Sequence, residues 1–124
     1  GNDTLIGGAG NDTLVGGLGA DRFRFATATN ATTNRDVISD FTIAQGDRIE
    51  LENAIFTALP TTGPLAASSF LIGTAATNGS QRILYNSATG LLSYDSDGNG
   101  AIAAIAFATI TPGLPLNSTY FTVT

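Results

Sequence analysis

Apolar positions recur at a fixed interval at the start of the chain. Leu5, Leu14 and Phe23 stand nine residues apart, each within a short strand-like group, and the residues between them are mostly Gly, Asn and Asp. Two full copies are visible, Gly7-Gly8-Ala9-Gly10-Asn11-Asp12-Thr13-Leu14-Val15 and Gly16-Gly17-Leu18-Gly19-Ala20-Asp21-Arg22-Phe23-Arg24, after Gly1 to Ile6 as the tail of an earlier one. Six glycine-rich residues make a turn, and three residues around one apolar side chain make a very short strand. Two repeats complete one coil, so residues eighteen apart are expected to stack at the spacing of neighbouring strands, about 4.7–4.9 Å.

Beyond the repeats the pattern changes. Asp36 to Ile43 predicts a strand whose Val37, Phe41 and Ile43 face a core, with Gln45-Gly46-Asp47 as a turn. Residues 51–80 break into short apolar groups around Pro60, Gly63, Pro64, Gly73 and Gly79, which predicts loops and one helical turn near Leu65 to Phe70. Arg82 to Tyr85 and Leu91 to Tyr94 predict a hairpin around Asn86-Ser87-Ala88-Thr89-Gly90, and Ala101 to Ile110 a further strand. Pro60-Thr61-Thr62-Gly63-Pro64 is too short to join domains. The expectation is therefore one all-β domain over 1–124, with a roll at 1–35 and a β-rich capping region at 36–124.

Composition narrows the chemistry. With 43% hydrophobic and 12% charged residues the chain reads as globular despite its 15 glycines. Eight Asp and two Glu oppose five Arg, with no Lys and no His, for a net charge of −5. That balance argues against nucleic acid as a partner and suits hard divalent cations, although an acidic solubilising surface has the same composition. Absence of Cys and His removes most zinc, copper and iron–sulfur chemistry and leaves calcium or magnesium held by oxygen. It also removes a Ser-His-Asp triad, a Cys-His pair and an H-E-x-x-H site, and no acidic pair has glycosidase spacing, so no enzyme is expected here. No apolar run reaches the roughly 18–20 residues that cross a bilayer.

Stacked coils bring Asp3 beside Asp21 on one edge and leave Asp12 on the other. Two carboxylates that close repel by roughly 3–4 kcal/mol at an effective dielectric near 20, less with salt. A cation between them reverses the sign, and turn carbonyls can complete six or more oxygen ligands. The plainer reading is a glycine-rich solenoid, or hairpins, in which Asn-Asp and Gly-Gly are only turn formers.

These repeats closely resemble the RTX, or hemolysin-type, calcium-binding repeats, written G-G-x-G-x-D-x-U-x, and both complete copies match every specified position. The resemblance implies a right-handed parallel β-roll, here running into a C-terminal antiparallel sheet or sandwich cap, with Ca2+ between turns of one edge. Asp3, Asp12 and Asp21 would be ligands. Gly7, Gly8, Gly10, Gly16, Gly17 and Gly19 would supply carbonyls or turn geometry, with Leu18 among them. Continuing the phase by nine lands on Asn30, and Asp36 follows. Asp36-Val37-Ile38-Ser39-Asp40-Phe41 and Gly46-Asp47-Arg48-Ile49-Glu50-Leu51 resemble the D-x-I-x-D-F…G-x-D-x-I-x-L segment after the last repeat of many family members. Asn30 and Asp36 are therefore expected to complete the Asp12-side site, a role compatible with Asp36 and Asp40 simply flanking a strand. Asp40 and Asp47 are assigned structural hydrogen bonding or pairing with Arg48.

Two further segments carry signals. Asp95-Ser96-Asp97-Gly98-Asn99-Gly100 resembles the first half of an EF-hand loop but lacks Glu at the twelfth position, which excludes a full EF-hand. It also looks like a stretch near the end of RTX C-terminal blocks, so Asp95, Asp97 and Asn99 are either cation ligands or a tight turn between Tyr94 and Ile102. Leu116 to Thr124 is uncharged and rich in hydroxyls, and resembles an RTX export signal or a plain last strand. Taken together the resemblance implies a secreted protein with a calcium-induced fold, a type I secretion apparatus as transient partner, and an upstream domain of a larger parent, since the chain begins inside a repeat. The competing class is an adhesion or carbohydrate-binding module presenting Thr4, Thr13 and the strands around Tyr85 and Tyr94.

Overall fold

A computed structural model describes residues 1–30 and 32–124. The strands are β1 (Thr4–Ile6), β2 (Thr13–Leu14), β3 (Arg22–Phe25), β4 (Asp36–Ile38), β5 (Arg48–Leu51), β6 (Gly63–Pro64), β7 (Phe70–Ile72), β8 (Ile83–Asn86), β9 (Leu91–Tyr94), β10 (Ile105–Thr109) and β11 (Phe121–Val123). Three single 3₁₀ turns, Ile43–Gln45, Ala67–Ser69 and Ser118–Tyr120, complete the described elements, so the chain is all-β without an α-helix among the described residues. Among the described residues no helix is long and apolar enough to cross a membrane.

Two sheets share the strands, in the orders β1-β3-β5-β11-β6 and β2-β4-β10-β9-β8-β7. Strands β1 to β5 alternate between them, each turn carrying the chain from one sheet to the other. Thr4 pairs with Arg22, Leu5 with Phe23 and Ile6 with Arg24 in parallel, the eighteen-residue spacing that the repeat predicts. The next coils are longer: Thr13 pairs with Val37 and Arg22 with Arg48. The extra residues lie in the turns 26–35 and 39–47, where the glycine pattern has lapsed.

One apolar core lies between the sheets and takes residues from both halves of the chain, including Leu14, Phe23, Ile38, Ile49, Tyr85, Leu92, Phe107 and Phe121. Phe107 meets Phe25 and Phe56 edge-to-face at 5.1 and 5.2 Å, and Phe56 meets Tyr94 at 4.9 Å, a geometry that favours aromatic quadrupoles beyond area burial. Register decides which side chains enter. Because Leu14 pairs with Ile38, Ile38 is buried and Val37 is 42% exposed, so Val37 points outward, contrary to the sequence expectation. A one-residue slip in a strand exchanges its faces, and the alternation Val-Ile does not reveal which is inside.

The C-terminal strands do not form a sheet of their own. Strands β8, β9 and β10 make an antiparallel meander, but β10 continues in parallel onto β4 and β11 in parallel onto β5. The hairpin loop is Ser87 to Gly90, one residue shorter than predicted, because Asn86 pairs with Leu91. Gly90 has φ 82°, and a Cβ there would run into the Ile110 carbonyl. The strand predicted from Ala101 begins only at Ile105, with the preceding residues held in the loop after β9.

Candidate metal centre

The repeat turns show why glycine stands at three of their positions. Gly8 and Gly10 have φ 74° and 98°, and Gly17 and Gly19 have 81° and 110°, a left-handed region that other residues enter at a cost of about 1 kcal/mol. Gly7 and Gly16 are excluded from that argument, since their φ is ordinary. Space explains them. A Cβ on Gly7 would lie 2.8 Å from Asp36 Oδ2 and 3.0 Å from Asp12 Oδ2, and one on Gly16 would overlap Asp21 Oδ2.

Each repeat Asp is tied to the next coil on its edge. The Asp3 amide donates to Asp21 Oδ1 at 2.8 Å, and the Asp21 amide donates to Asp47 Oδ1 at 2.9 Å. On the opposite edge the Asp12 amide donates to Asp36 Oδ1 at 2.9 Å. The preceding asparagines do the complementary work: Asn2 Oδ1 accepts from Ala20 N and Asn11 Oδ1 from Arg35 N, both at 2.8 Å. The Asn-Asp dipeptide thus binds one coil to the next, and two carboxylate columns result, Asp3–Asp21–Asp47 and Asp12–Asp36.

Those bonds occupy Oδ1 of Asp21 and Asp36 and leave their Oδ2 atoms, while Asp3 and Asp12 join in only through their amides. Asp12 Oδ2 and Asp21 Oδ2 are buried without a hydrogen-bond partner, and Asp21 is wholly buried. Burial above all, and the neighbouring Asp12 charge as well, raise the pKa of Asp36, while the Asp12 amide opposes them. A buried carboxylate oxygen without a donor fits a cation better than any other occupant. Among the described residues no three acidic side chains gather at one point. An ion held here would therefore take most of its ligands from turn carbonyls and water, as calcium accepts and zinc does not.

The sequence expectation brings together Asp3 with Asp21, and Asp12 with Asp36, and the geometry does the same. Gly7 and Gly16 lie beneath the carboxylates, Gly8, Gly10, Gly17 and Gly19 shape the turns, and the Leu18 side chain is 79% exposed while its carbonyl accepts from the Gly1 amine at 3.3 Å. Asn30 spends its side-chain oxygen on Thr32 and Thr33 in a local turn. It makes no hydrogen bond to Asp12, and the Asp12 column is continued by Asp36 alone. Asp40 accepts from Gly16 N and Gly17 N at 2.9 and 2.7 Å, the structural role expected of it. Asp95, Asp97 and Asn99 lie in the loop after β9 and belong to neither column.

Asp47 was missed as a column member. Its carboxylate pairs with no Arg48 guanidinium; Arg48 reaches only the Asp47 carbonyl, and its guanidinium lies 5.3 Å from the Tyr120 ring centroid. The available signal was the recurrence of Asp-Arg-apolar-charged-apolar at Asp21 to Phe25 and at Asp47 to Leu51, which marks one position in two coils despite the lengthened turn. The tyrosine surface of the adhesion alternative is also corrected. Tyr85 and Tyr94 are buried, with the Tyr85 hydroxyl donating to Thr111 O and the Tyr94 hydroxyl accepting from Ala58 N, so neither ring can stack on a sugar.

Comparison with known proteins bears on the first part of the chain. Residues 1–25 match the family described as RTX calcium-binding nonapeptide repeat (4 copies). No curated protein matches the chain. Repeats of this family bind Ca2+ and are a non-catalytic structural motif, and the proteins that carry them are typically secreted.

Proposed function

With residues 1–25 identified as RTX calcium-binding nonapeptide repeats, we propose that the chain is a calcium-dependent folding and export module at the C-terminal end of a larger secreted bacterial protein. It folds as one domain, a short right-handed parallel β-roll whose sheets continue into the C-terminal strands. The observation that carries this reading is the pair of buried, unpartnered oxygens on Asp12 and Asp21, each set against a glycine that leaves room for it.

Asp12 and Asp36 hold the ion on one edge over Gly7, and Asp3 and Asp21 hold it on the other beside the Gly16 to Gly19 turn. When bound, calcium supplies the positive charge and the oxygen coordination that these carboxylates lack. Without it, Asp12 and Asp36 repel across a partly desolvated gap and open the coil. A low-calcium cytoplasm therefore keeps the roll loose, and a calcium-rich exterior closes it. One ion at ten times its dissociation constant adds about 1.4 kcal/mol, so a few cooperating ions weigh heavily against the roughly 5–15 kcal/mol of a typical domain.

The same logic assigns the C-terminal segment. Phe121 and Val123 are buried in β11 between β5 and β6, so a type I secretion apparatus reads this end only while the chain is unfolded. Calorimetric titration of calcium into the chelator-stripped chain tests the reading. Binding in the range of roughly 10⁻⁴ to 10⁻³ M, typical of extracellular calcium modules, is expected. Absence of binding heat, or equal binding of magnesium, would sink it.

A further inference from the structure

The loop between β9 and β10 has chemistry that the repeats do not explain. Asp95-Ser96-Asp97-Gly98-Asn99 places an oxygen-bearing side chain at four of five positions, with carboxylates or a carboxamide at alternate ones. Asp95 is 5% exposed and lines an open cavity of about 420 Å³ together with Gly98, Asn99 and Gly100.

Turn formation uses only half of the carboxylate oxygens here. The Asp97 amide donates to Asp95 Oδ1 at 3.3 Å, and the Ile102 amide donates to Asp97 Oδ2 at 3.0 Å. Asp97 Oδ1 is buried without a partner, and among the described residues no hydrogen bond reaches Asp95 Oδ2. A tight turn needs the two glycines: Gly98 has φ 65°, and a Cβ on Gly100 would strike the Asp97 carboxylate. It does not need a second carboxylate beside a buried first one.

Among the described residues no ion pair reaches Asp95 or Asp97. Arg82 is the cation nearest in effect, yet its Nη1 donates to the Gly79 and Gln81 carbonyls, and it makes no ion pair with Asp95 among the described residues. Burial first, and then Asp97, raise the pKa of Asp95, with Arg82 opposing. A protein gains by leaving a buried carboxylate and the buried oxygen of its neighbour unpaired only where something else supplies positive charge.

We propose that this loop is a calcium site separate from the repeat columns, with Asp95, Asp97 and the side-chain oxygen of Asn99 as its protein ligands. The donor set is all oxygen and only doubly charged, and the remaining ligands come from backbone carbonyls and water, an irregular shell that calcium tolerates and magnesium, which demands a near-ideal octahedron, does not. Lacking the bidentate Glu of an EF-hand, the site is weak and suited to calcium outside the cell.

Terbium binding to the full chain tests the proposal, because terbium takes calcium's oxygen sites and is excited through nearby tyrosine. Tyr94 adjoins Asp95, and the chain has no Trp. Asp97→Asn, which preserves shape, is expected to abolish most of the sensitised emission and to lower the calcium stoichiometry by one ion per chain. Asp12→Asn is expected to leave that emission in place, which separates this site from the repeats. Emission and stoichiometry both unchanged in Asp97→Asn would overturn the proposal. Should that variant fail to fold, Tyr94→Phe serves instead: loss of emission with unchanged calcium stoichiometry supports the site, and unchanged emission overturns it.

Discussion

The Asp12 amide donates to Asp36 Oδ1 at 2.9 Å, and the second oxygens of both carboxylates lie over Gly7. One contact joins the two coils and the other opposes their joining. Asp36→Asn separates them, because an amide keeps an acceptor for Asp12 N and loses the charge. Calcium affinity on this edge should fall at least tenfold, about 1.4 kcal/mol, while the chelated fold becomes no less stable. Titration calorimetry paired with denaturant melts in chelator reads both quantities. Unchanged affinity would remove Asp36 from the site.

Acid should act on the calcium-free fold in the unusual direction. Burial raises the Asp36 pKa above 3.8, and burial raises that of Asp95 as well. For a carboxyl whose folded pKa is raised, the stabilising contribution is present below the unfolded value and lost as pH rises through the folded value. In chelator, these two groups should therefore make stability decline from about pH 4 upward, and the slope should flatten in Asp36→Asn. Calcium competes with the same proton, so its affinity should weaken toward acid pH. Melts across a pH series, with and without calcium, check both signs.

The glycines of one turn should respond differently. Gly8→Ala meets open space but a left-handed φ, so it should destabilise the fold by about 1 kcal/mol whether or not calcium is present. Gly7→Ala has an acceptable φ and pushes on Asp12 and Asp36, so its loss should appear mainly as weaker calcium binding. Equal effects of the two variants on calcium affinity would contradict the assignment of Gly7 as the floor of the site.

Asp47 carries a purely protein role in its column. It is wholly buried and accepts from Asp21 N at 2.9 Å and Thr42 N at 2.8 Å. Asp47→Ala strands both amides and should cost about 2–4 kcal/mol in chelator and in calcium alike, measured by chemical denaturation. A loss confined to the calcium-bound protein would make Asp47 a ligand instead.

What the sequence disclosed follows from how local each signal is. Leu5, Leu14 and Phe23 repeat every nine residues, so strand spacing and the Asp3–Asp21 pairing could be read directly. Counting by nine lands on Asn30, so Asp36 could be found only from the resemblance of Asp36-Val37-Ile38-Ser39-Asp40-Phe41 to the segment that follows such repeats. Asp47 could not be found by counting, because the turn before it lengthens the coil, and only its Arg48-Ile49 context betrays it. The pairing of Thr109 with Val37 and of Phe121 with Ile49 joins residues more than seventy positions apart, which no local pattern encodes. Whether Val37 or Ile38 faces inward likewise depends on Leu14 across the sheet.

Circular dichroism of the chelated full chain during calcium titration, with magnesium as control, tests the central claim most directly. A cooperative gain of β-structure is expected in the range of roughly 10⁻⁴ to 10⁻³ M calcium, absent with magnesium and weakened by Asp21→Ala. A spectrum already complete in chelator, and unmoved by calcium, would contradict it.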